Sequence, residues 1–135
     1  MGAAPRIRVD PTLPSPIWSQ IEESVRYLVA SGALRPGEAV PSVRDLAREL
    51  RVNPNTVAKA YQRLVEAGIL ETRRGEGTFV AERPPAMPAA EKARILEEGA
   101  TRYSTLAVNL GATRAEAVTT LQASWPEPDS KGGRR

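Results

Sequence analysis

The sequence of 135 residues predicts a fold that is mainly α with a small β-wing. Two amphipathic helical segments lie on either side of a three-residue turn, 51–53. Directly after them come two short segments of strand character around a turn with two glycines. A long segment, 89–110, then carries small and apolar residues at heptad spacing, which is typical of helix pairing.

Residues 1–15 are expected to form an N-terminal arm. Within it, residues 6–10 alternate between apolar and polar side chains, which is compatible with a short edge strand, and the prolines that follow exclude regular structure. The first helix begins at about residue 16 and ends at about residue 31, where Gly32 suits a left-handed turn. Its predicted buried stripe consists of Ile17, Ile21, Val25, Leu28 and Val29. Residues 35–41 are predicted to form a turn.

The most informative helix is predicted over 54–67. Asn53 is a suitable N-cap, and Pro54 fits the first helical position because its missing N–H has no intrahelical partner there. The predicted buried face comprises Val57, Ala60, Tyr61, Leu64 and Val65, and the opposite face carries Asn55, Thr56, Lys59, Gln62 and Arg63. A shorter helix over 43–50 precedes it, with Ser42 as its N-cap.

The segment 69–81 is predicted to be a basic hairpin around Gly75 and Gly77. A hairpin in this position, directly after a recognition-type helix, is the wing of a winged helix-turn-helix. A helix that fits the major groove and a hairpin that reaches the backbone or minor groove together indicate a clamp on DNA.

Five segments, in this order and spacing, resemble the GntR family of bacterial transcription regulators: 19–21, 32–38, 41–47, 52–61 and 75–80. The resemblance covers about residues 16–80, and the short C-terminal part, with only two predicted helices, resembles the YtrA-like subfamily. It implies a dimeric, sequence-specific DNA-binding regulator, most often a repressor. Trp18 departs from the family pattern, which more often has Tyr there, and we expect only a change of packing.

Composition narrows the chemistry. The chain has no cysteine and no histidine, so disulfides, Cys or His metal sites and Ser-His or Cys-His nucleophile pairs are excluded. The formal net charge is only +3, so the position of the basic residues, and not their number, indicates nucleic acid. Without a long apolar run or a signal-peptide pattern, a soluble cytoplasmic protein with no membrane partner is expected.

The candidate DNA contacts lie in the two helices and the wing: Arg44, Asn55, Thr56, Lys59, Arg73, Arg74, Gly75 and Gly77. Arginine at a groove edge is the usual reader of guanine, but Arg44 could also be a solvated helix residue. Thr56 could simply cap its helix, and Lys59 suits a phosphate better than a base. Adjacent strand residues point to opposite faces, so only one of Arg73 and Arg74 can dominate. The two glycines could be required by the turn alone.

The C-terminal segment, 84–126, begins with a proline-rich linker after the DNA-binding domain, 16–83. Its long helix carries a predicted dimerisation seam: Ala93, Leu96, Ala100, Tyr103, Ala107 and Leu110. This seam could pack against a second subunit, against the last helix, or against both. A capping box at Thr113 and Glu116 opens that last helix, in which Ala117, Val118 and Leu121 are predicted to be buried. Residues 127–135 are expected to form a disordered tail.

Three functions compete on this basis. The first is a homodimer that binds inverted-repeat operators in double-stranded DNA, and the second is a winged helix used for protein–protein assembly. The third is an enzyme: some GntR-like regulators carry an aminotransferase-like domain with pyridoxal phosphate, but this chain has no Lys–Asp constellation for that cofactor, so neither an enzyme nor a cofactor is expected. An effector, if there is one, is expected between subunits or near 83–88, where it would change the spacing of the two DNA-binding domains.

Overall fold

The computed structural model describes residues 7–126. Along this range run helices α1 (Ile17–Ala30), α2 (Val43–Leu50) and α3 (Pro54–Glu66), strands β1 (Leu70–Arg73) and β2 (Gly77–Val80), and helices α4 (Ala89–Asn109) and α5 (Arg114–Ser124). The mainly α fold with a small β-wing is therefore confirmed. The described chain divides into two compact units, 7–86 and 87–126. The predictions for residues 1–6 and for the tail 127–135 lie outside the described residues.

The core of the first unit is built around α3. Its buried side chains are Val57, Ala60, Tyr61 and Leu64, and they pack with buried residues of α1 and α2, namely Ile21, Val25, Leu46 and Ala47. Val65 was predicted in this face but is 37% exposed. It lies at the edge of the stripe, and periodicity alone does not locate that edge.

Both helix starts of the helix-turn-helix have the predicted caps. The Asn55 backbone N–H donates to Asn53 Oδ1 at 2.8 Å, and the Asp45 N–H donates to Ser42 Oγ at 3.0 Å. Between the helices, Arg51 has left-handed backbone angles, with φ of 61°. A residue with a side chain is strained in this region. The conformation ends α2 abruptly, so that α3 can begin three residues later.

The predicted hairpin is confirmed and is larger than expected. Strands β1 and β2 pair antiparallel, with Leu70 opposite Val80 and Arg73 opposite Gly77. The segment 37–40 pairs with the other edge of β2: the Val80 N–H donates to the Glu38 carbonyl at 2.8 Å, and the Val40 N–H donates to the Thr78 carbonyl at 3.0 Å. Residues 35–41 were predicted to form a turn. Segment 37–40 supplies a third short strand-like element that joins the wing to the start of α2.

The edge strand predicted at residues 6–10 is wrong for residues 7–10, which belong to no strand. Buried Gln20 of α1 takes the backbone partners that a strand would need: its Oε1 accepts the Asp10 N–H at 2.7 Å, and its Nε2 donates to the carbonyls of Asp10 and Ser15 at 3.0 and 3.1 Å. Ile7 enters the core. The alternation of apolar and polar residues in 7–10 therefore arises because one side of this segment packs on α1, and not because the segment is a strand.

In the second unit, α5 folds back on the C-terminal part of α4. Both halves of the capping box between Thr113 and Glu116 are formed. The Tyr103 hydroxyl donates to the Ala117 carbonyl at 2.7 Å, which fixes the two helices to each other. Val118 and Leu121 were predicted to be buried but are 45% and 44% exposed, because the described part of this unit, 87–126, holds only two helices.

Tyr61 gives the first testable prediction, because its hydroxyl donates to the Pro41 carbonyl at 2.8 Å and so ties α3 to the start of α2. Burial, helped by the negative charge of Glu49, raises the pKa of Tyr61 above its usual value of 10.0. Above about pH 10 the unfolded chain therefore loses a proton that the folded chain keeps, and stability falls as pH rises.

We expect Tyr61→Phe to cost about 1 kcal/mol at neutral pH, because a part-buried carbonyl loses its donor. The variant should then lose less stability than the wild type between about pH 8 and about pH 11. Urea unfolding followed by circular dichroism at both pH values measures the difference. Equal losses in the two proteins would contradict the assigned role of the buried hydroxyl.

Candidate nucleic-acid interface

The outward face of α3 carries a ridge of exposed polar residues at Asn55, Lys59, Gln62 and Glu66. Their spacing of three and four positions aligns them along one side of the helix. Glu66, the acidic member of this ridge, is the last residue of α3, and its Oε2 lies 3.4 Å from Gln62 Nε2. The first two turns therefore present amide and ammonium donors, which can bond to the acceptor groups of a major groove.

Lys59 and Arg63 lean from α3 towards α1. Lys59 Nζ lies 4.4 Å from the ring centroid of Trp18, and Arg63 Cζ lies 4.9 Å from the same ring. Arg63 Nε also donates to Glu22 Oε1 at 2.7 Å. The expectation that tryptophan at this position only changes packing misses this contact. Sequence alone could not reveal it, because 41 positions separate Trp18 from Lys59.

Arg44 lies exposed near the start of α2 and forms no hydrogen bond or ion pair with other residues in the range 7–126. On the same helix, Arg48 Nη1 lies 3.3 Å from Asp45 Oδ1 and shares its charge with that carboxylate. Arg44 is thus the α2 arginine whose guanidinium can approach a phosphate or a guanine without giving up a partner.

The two arginines of the wing, Arg73 and Arg74, have different surroundings. Arg73 Nε and Nη2 both donate to Glu71 Oε2, at 3.0 and 2.9 Å, and Nη2 also lies 3.3 Å from Glu82 Oε2. Its guanidinium carbon lies 4.0 Å from the ring centroid of Phe79. Arg73 is therefore held against the sheet. Arg74 is exposed at the tip and has no such partner among the described residues. Glu71 and Arg73 are two positions apart and therefore lie on one face of β1, so their spacing already indicates the pairing in the sequence.

Gly75 and Gly77 have positive φ values of 78° and 123°. A Cβ at either position would meet no atom within 4 Å, so the turn conformation requires glycine there and crowding does not. This geometry accounts for both residues through the turn alone. Their contact with DNA remains a prediction.

The predicted dimerisation seam is divided in the structure. Tyr103 and Ala107 contact α5 in the same unit, and Ala107 is the buried residue of α4. The other four members, Ala93, Leu96, Ala100 and Leu110, are exposed, with Leu96 at 70% and Leu110 at 75%. One part of the seam is therefore an internal contact, and the other part stays accessible to a partner.

A groove of about 290 Å³ lies between the two C-terminal helices. Its lining includes Tyr103, Ala107, Val108, Ala117, Val118 and Leu121. Ligand sites in proteins usually have volumes of about 300–1,000 Å³, so this groove is at the lower limit for an effector. No helix within residues 7–126 is long and apolar enough to cross a membrane.

Comparison with known proteins decides the family. Residues 18–80 match the family model described as bacterial regulatory proteins, gntR family. The HTH-type transcriptional repressor YtrA of Bacillus subtilis is 40% identical over 92 residues, which are 68% of this chain and 71% of that protein. The chain belongs to the GntR family.

A second relative matches over most of its length: HTH-type transcriptional regulator Rv1152 of Mycobacterium tuberculosis is 41% identical over 118 residues, 85% of this chain and 90% of the relative. The structure of YtrA from Sulfolobus acidocaldarius, a GntR-family transcription factor, aligns with a TM-score of 0.53 at 32% identity, covering 71% of this chain and 97% of that chain. The winged helix-turn-helix prediction is thereby confirmed.

The DNA-binding domain of AraR in complex with operator ORX1 is also similar, with a TM-score of 0.51 and 26% identity over 59% of this chain and all of that domain. The fold of this GntR protein is therefore one that has been observed on operator DNA. Together with the family membership, this makes the protein a DNA-binding transcription regulator and disfavours the protein–protein assembly alternative.

The different surroundings of the two wing arginines give a second testable prediction. Arg74→Ala should weaken duplex DNA binding about three- to tenfold and lower the slope of log affinity against log salt by about 1, because one phosphate contact is lost. It should leave the thermal melting temperature almost unchanged. Arg73→Ala should instead lower the melting temperature, since Glu71 and Phe79 lose their partner.

Fluorescence anisotropy at several salt concentrations, together with thermal melting, separates the two effects. Arg94→Ala is the matched control, because Arg94 is an exposed arginine of α4 that pairs with Glu98 outside the DNA-binding unit. A larger loss of the salt slope for Arg73→Ala than for Arg74→Ala would contradict the assignment.

Proposed function

We propose that the protein is a homodimeric transcription repressor that binds an inverted-repeat operator. In this proposal α3 of each subunit enters a major groove, and the wing contacts the backbone or minor groove. The observation that carries it is the donor-rich ridge on the first two turns of α3, flanked by Arg44 and Arg74 without intramolecular partners in the described range. Asn55, Thr56 and Arg44 are proposed to contact base edges or phosphates, and Lys59 and Arg74 to contact phosphates.

The surface charges of the first unit support a defined DNA-facing side. Arg48, Arg63 and Arg73 each lie within 3.3 Å of a carboxylate oxygen, so their charge is partly neutralised. Arg44 and Arg74 have no such partner in the same range, and Lys59 lies on an aromatic ring. Unpaired positive charge is thus present at the start of α2, on the first two turns of α3 and at the wing tip, although the chain as a whole is only weakly basic.

The apolar surface of the C-terminal helices supports the homodimer. α5 has no buried residue, and α4 has one, although both helices lie entirely in the described range. Leu96, Leu106, Val108, Leu110 and Trp125 are each more than half exposed. A helix pair with so little core needs further packing, and a second copy would provide it and also match the two-fold symmetry of an inverted repeat.

The proposed organisation is an N-terminal arm (1–15), a DNA-binding domain (16–83) and a dimerisation segment (84–126). Ala93, Leu96, Ala100 and Leu110 are proposed to contact the second subunit. Tyr103 and Ala107 instead pack against α5 of the same subunit and so hold α4 in place. The protein acts in the cytoplasm, where it meets DNA, and has no enzymatic activity of its own. The repressor YtrA of Bacillus subtilis, at 40% identity, supports repression as the mode of action, in which the bound dimer blocks a promoter.

Two half-sites centred about 34 Å apart are expected, since the recognition helices of a two-fold dimer enter successive major grooves. To test this, duplexes are selected by the full chain from a random-sequence library at physiological salt, and the mass of the free protein is measured by light scattering. We expect a dimer that enriches an inverted repeat with this spacing.

The exposed part of the seam allows a sharper version of this test. Leu96→Glu should shift the protein towards monomers and reduce affinity for the selected repeat by at least about 100-fold, because two linked DNA-binding domains bind far more tightly than one. Glu97→Gln, at the next position of the same helix, is the control. A monomeric wild type that enriches no inverted repeat would contradict the proposal.

A further inference from the structure

We propose that Trp18 of α1 is a positioning residue for DNA recognition, because its ring holds the ammonium group of Lys59 in place on the DNA-facing side of α3. This inference rests on the proposed function of α3. It assigns a role in DNA recognition to α1, a helix outside the helix-turn-helix and the wing. It also replaces the expectation that tryptophan at this position changes only the packing.

The geometry of the two cations around Trp18 carries the inference. Lys59 Nζ lies 4.4 Å from the ring centroid and Arg63 Cζ lies 4.9 Å from it, both within the range in which a cation is attracted to the face of an indole. Trp18 is half-buried and packs against the core, so the ring itself is fixed. An aliphatic side chain such as leucine would keep an apolar group at this position but would not attract either cation.

The ring restricts Lys59 without consuming its charge. A lysine on a helix surface moves through many rotamers, and ordering it at a phosphate costs conformational entropy. A contact with an aromatic face leaves the ammonium charged and its N–H donors free, unlike an ion pair with a carboxylate. Lys59 is therefore pre-ordered for a phosphate and still able to bind it.

Arg63 provides the contrast on the same ring. Its Nε donates to Glu22 Oε1 at 2.7 Å, and the Glu22 side chain is only 20% exposed. The guanidinium is thus neutralised and held towards α1, while Lys59, one turn closer to the start of α3, has no carboxylate partner among the described residues. The arrangement around Trp18 selects Lys59 as the cation presented to DNA.

The test is a double-mutant cycle in the full chain, and Trp125→Phe is added only for the fluorescence measurement, so that Trp18 is then the only tryptophan. The variants are Trp18→Leu, Lys59→Met and both together, and the probes are a duplex selected from a random library by the wild type and a shuffled duplex of the same composition. We expect Trp18→Leu to weaken binding about two- to fivefold with an unchanged salt slope, since the lysine is still present.

In the Lys59→Met background, Trp18→Leu should have almost no further effect, because the group that the ring positions is gone. Trp18→Tyr should restore most of the affinity, since a phenol ring also attracts a cation. In the free protein, Lys59→Met should change the Trp18 fluorescence emission. Glu22→Gln should strengthen binding, as Arg63 is then free to reach a phosphate.

Two results would overturn the inference while leaving the proposed function intact: equal losses from Trp18→Leu with and without Lys59, or no recovery with Trp18→Tyr although both variants melt at the wild-type temperature. A wild type that binds neither duplex above background would overturn the proposed function, and the inference with it. The fluorescence of the free protein then shows whether the contact exists at all. If Lys59→Met changes the Trp18 emission, the ring and the lysine are in contact but the contact has no role in DNA binding; if the emission is unchanged, there is no contact.

Discussion

The burial of one face of α3 against α1 and α2 is the interaction on which the first unit depends. Val57, Ala60 and Leu64 are fully buried, and the Tyr61 hydroxyl donates a hydrogen bond to the carbonyl of Pro41, which precedes the N-cap of α2. Because a helix can bury only one side, the same packing fixes which residues remain outside. Asn55 and Lys59 lie on that outer side and are proposed to contact DNA.

The turn before α3 and the sheet after it hold this arrangement from both ends. The left-handed Arg51 ends α2, and the Asn53 cap starts α3 immediately afterwards. At the other end the wing does not stand alone, since segment 37–40 pairs with β2 and leads directly into α2. The wing and the segment that precedes α2 are therefore connected through backbone hydrogen bonds, which join the strand next to the Arg74 turn to the chain that leads to Arg44.

Features that depend on neighbours in sequence were predicted well. The caps at Ser42, Asn53 and Thr113 and the hairpin at 69–81 follow from residue types at fixed short spacings, and the structure has all of them. Periodicity likewise identified the apolar faces of α1 and α3. It could not tell how far each face is covered, so the burial of Val65, Val118 and Leu121 was overestimated.

Features that depend on distant contacts were missed. No local pattern in the sequence indicates which residues make these contacts. Examples are the three hydrogen bonds of Gln20 to residues 10 and 15, the pairing of 37–40 with β2, and the two cations on the Trp18 ring. The sequence also did not decide which of Arg73 and Arg74 faces outward. The spacing of Glu71 and Arg73 was a local signal, but only the sheet brings Phe79 and Glu82 to the same guanidinium.

The central claim is that the outer face of α3 lies in the major groove. Dimethyl sulfate footprinting of the selected duplex tests it directly, because the reagent methylates N7 of guanine in the major groove and N3 of adenine in the minor groove. We predict protection of guanine N7 in two clusters one helical turn apart, lost in the Asn55→Ala, Lys59→Ala variant. Protection confined to adenine N3, or unchanged guanine reactivity under saturating protein, would contradict the account.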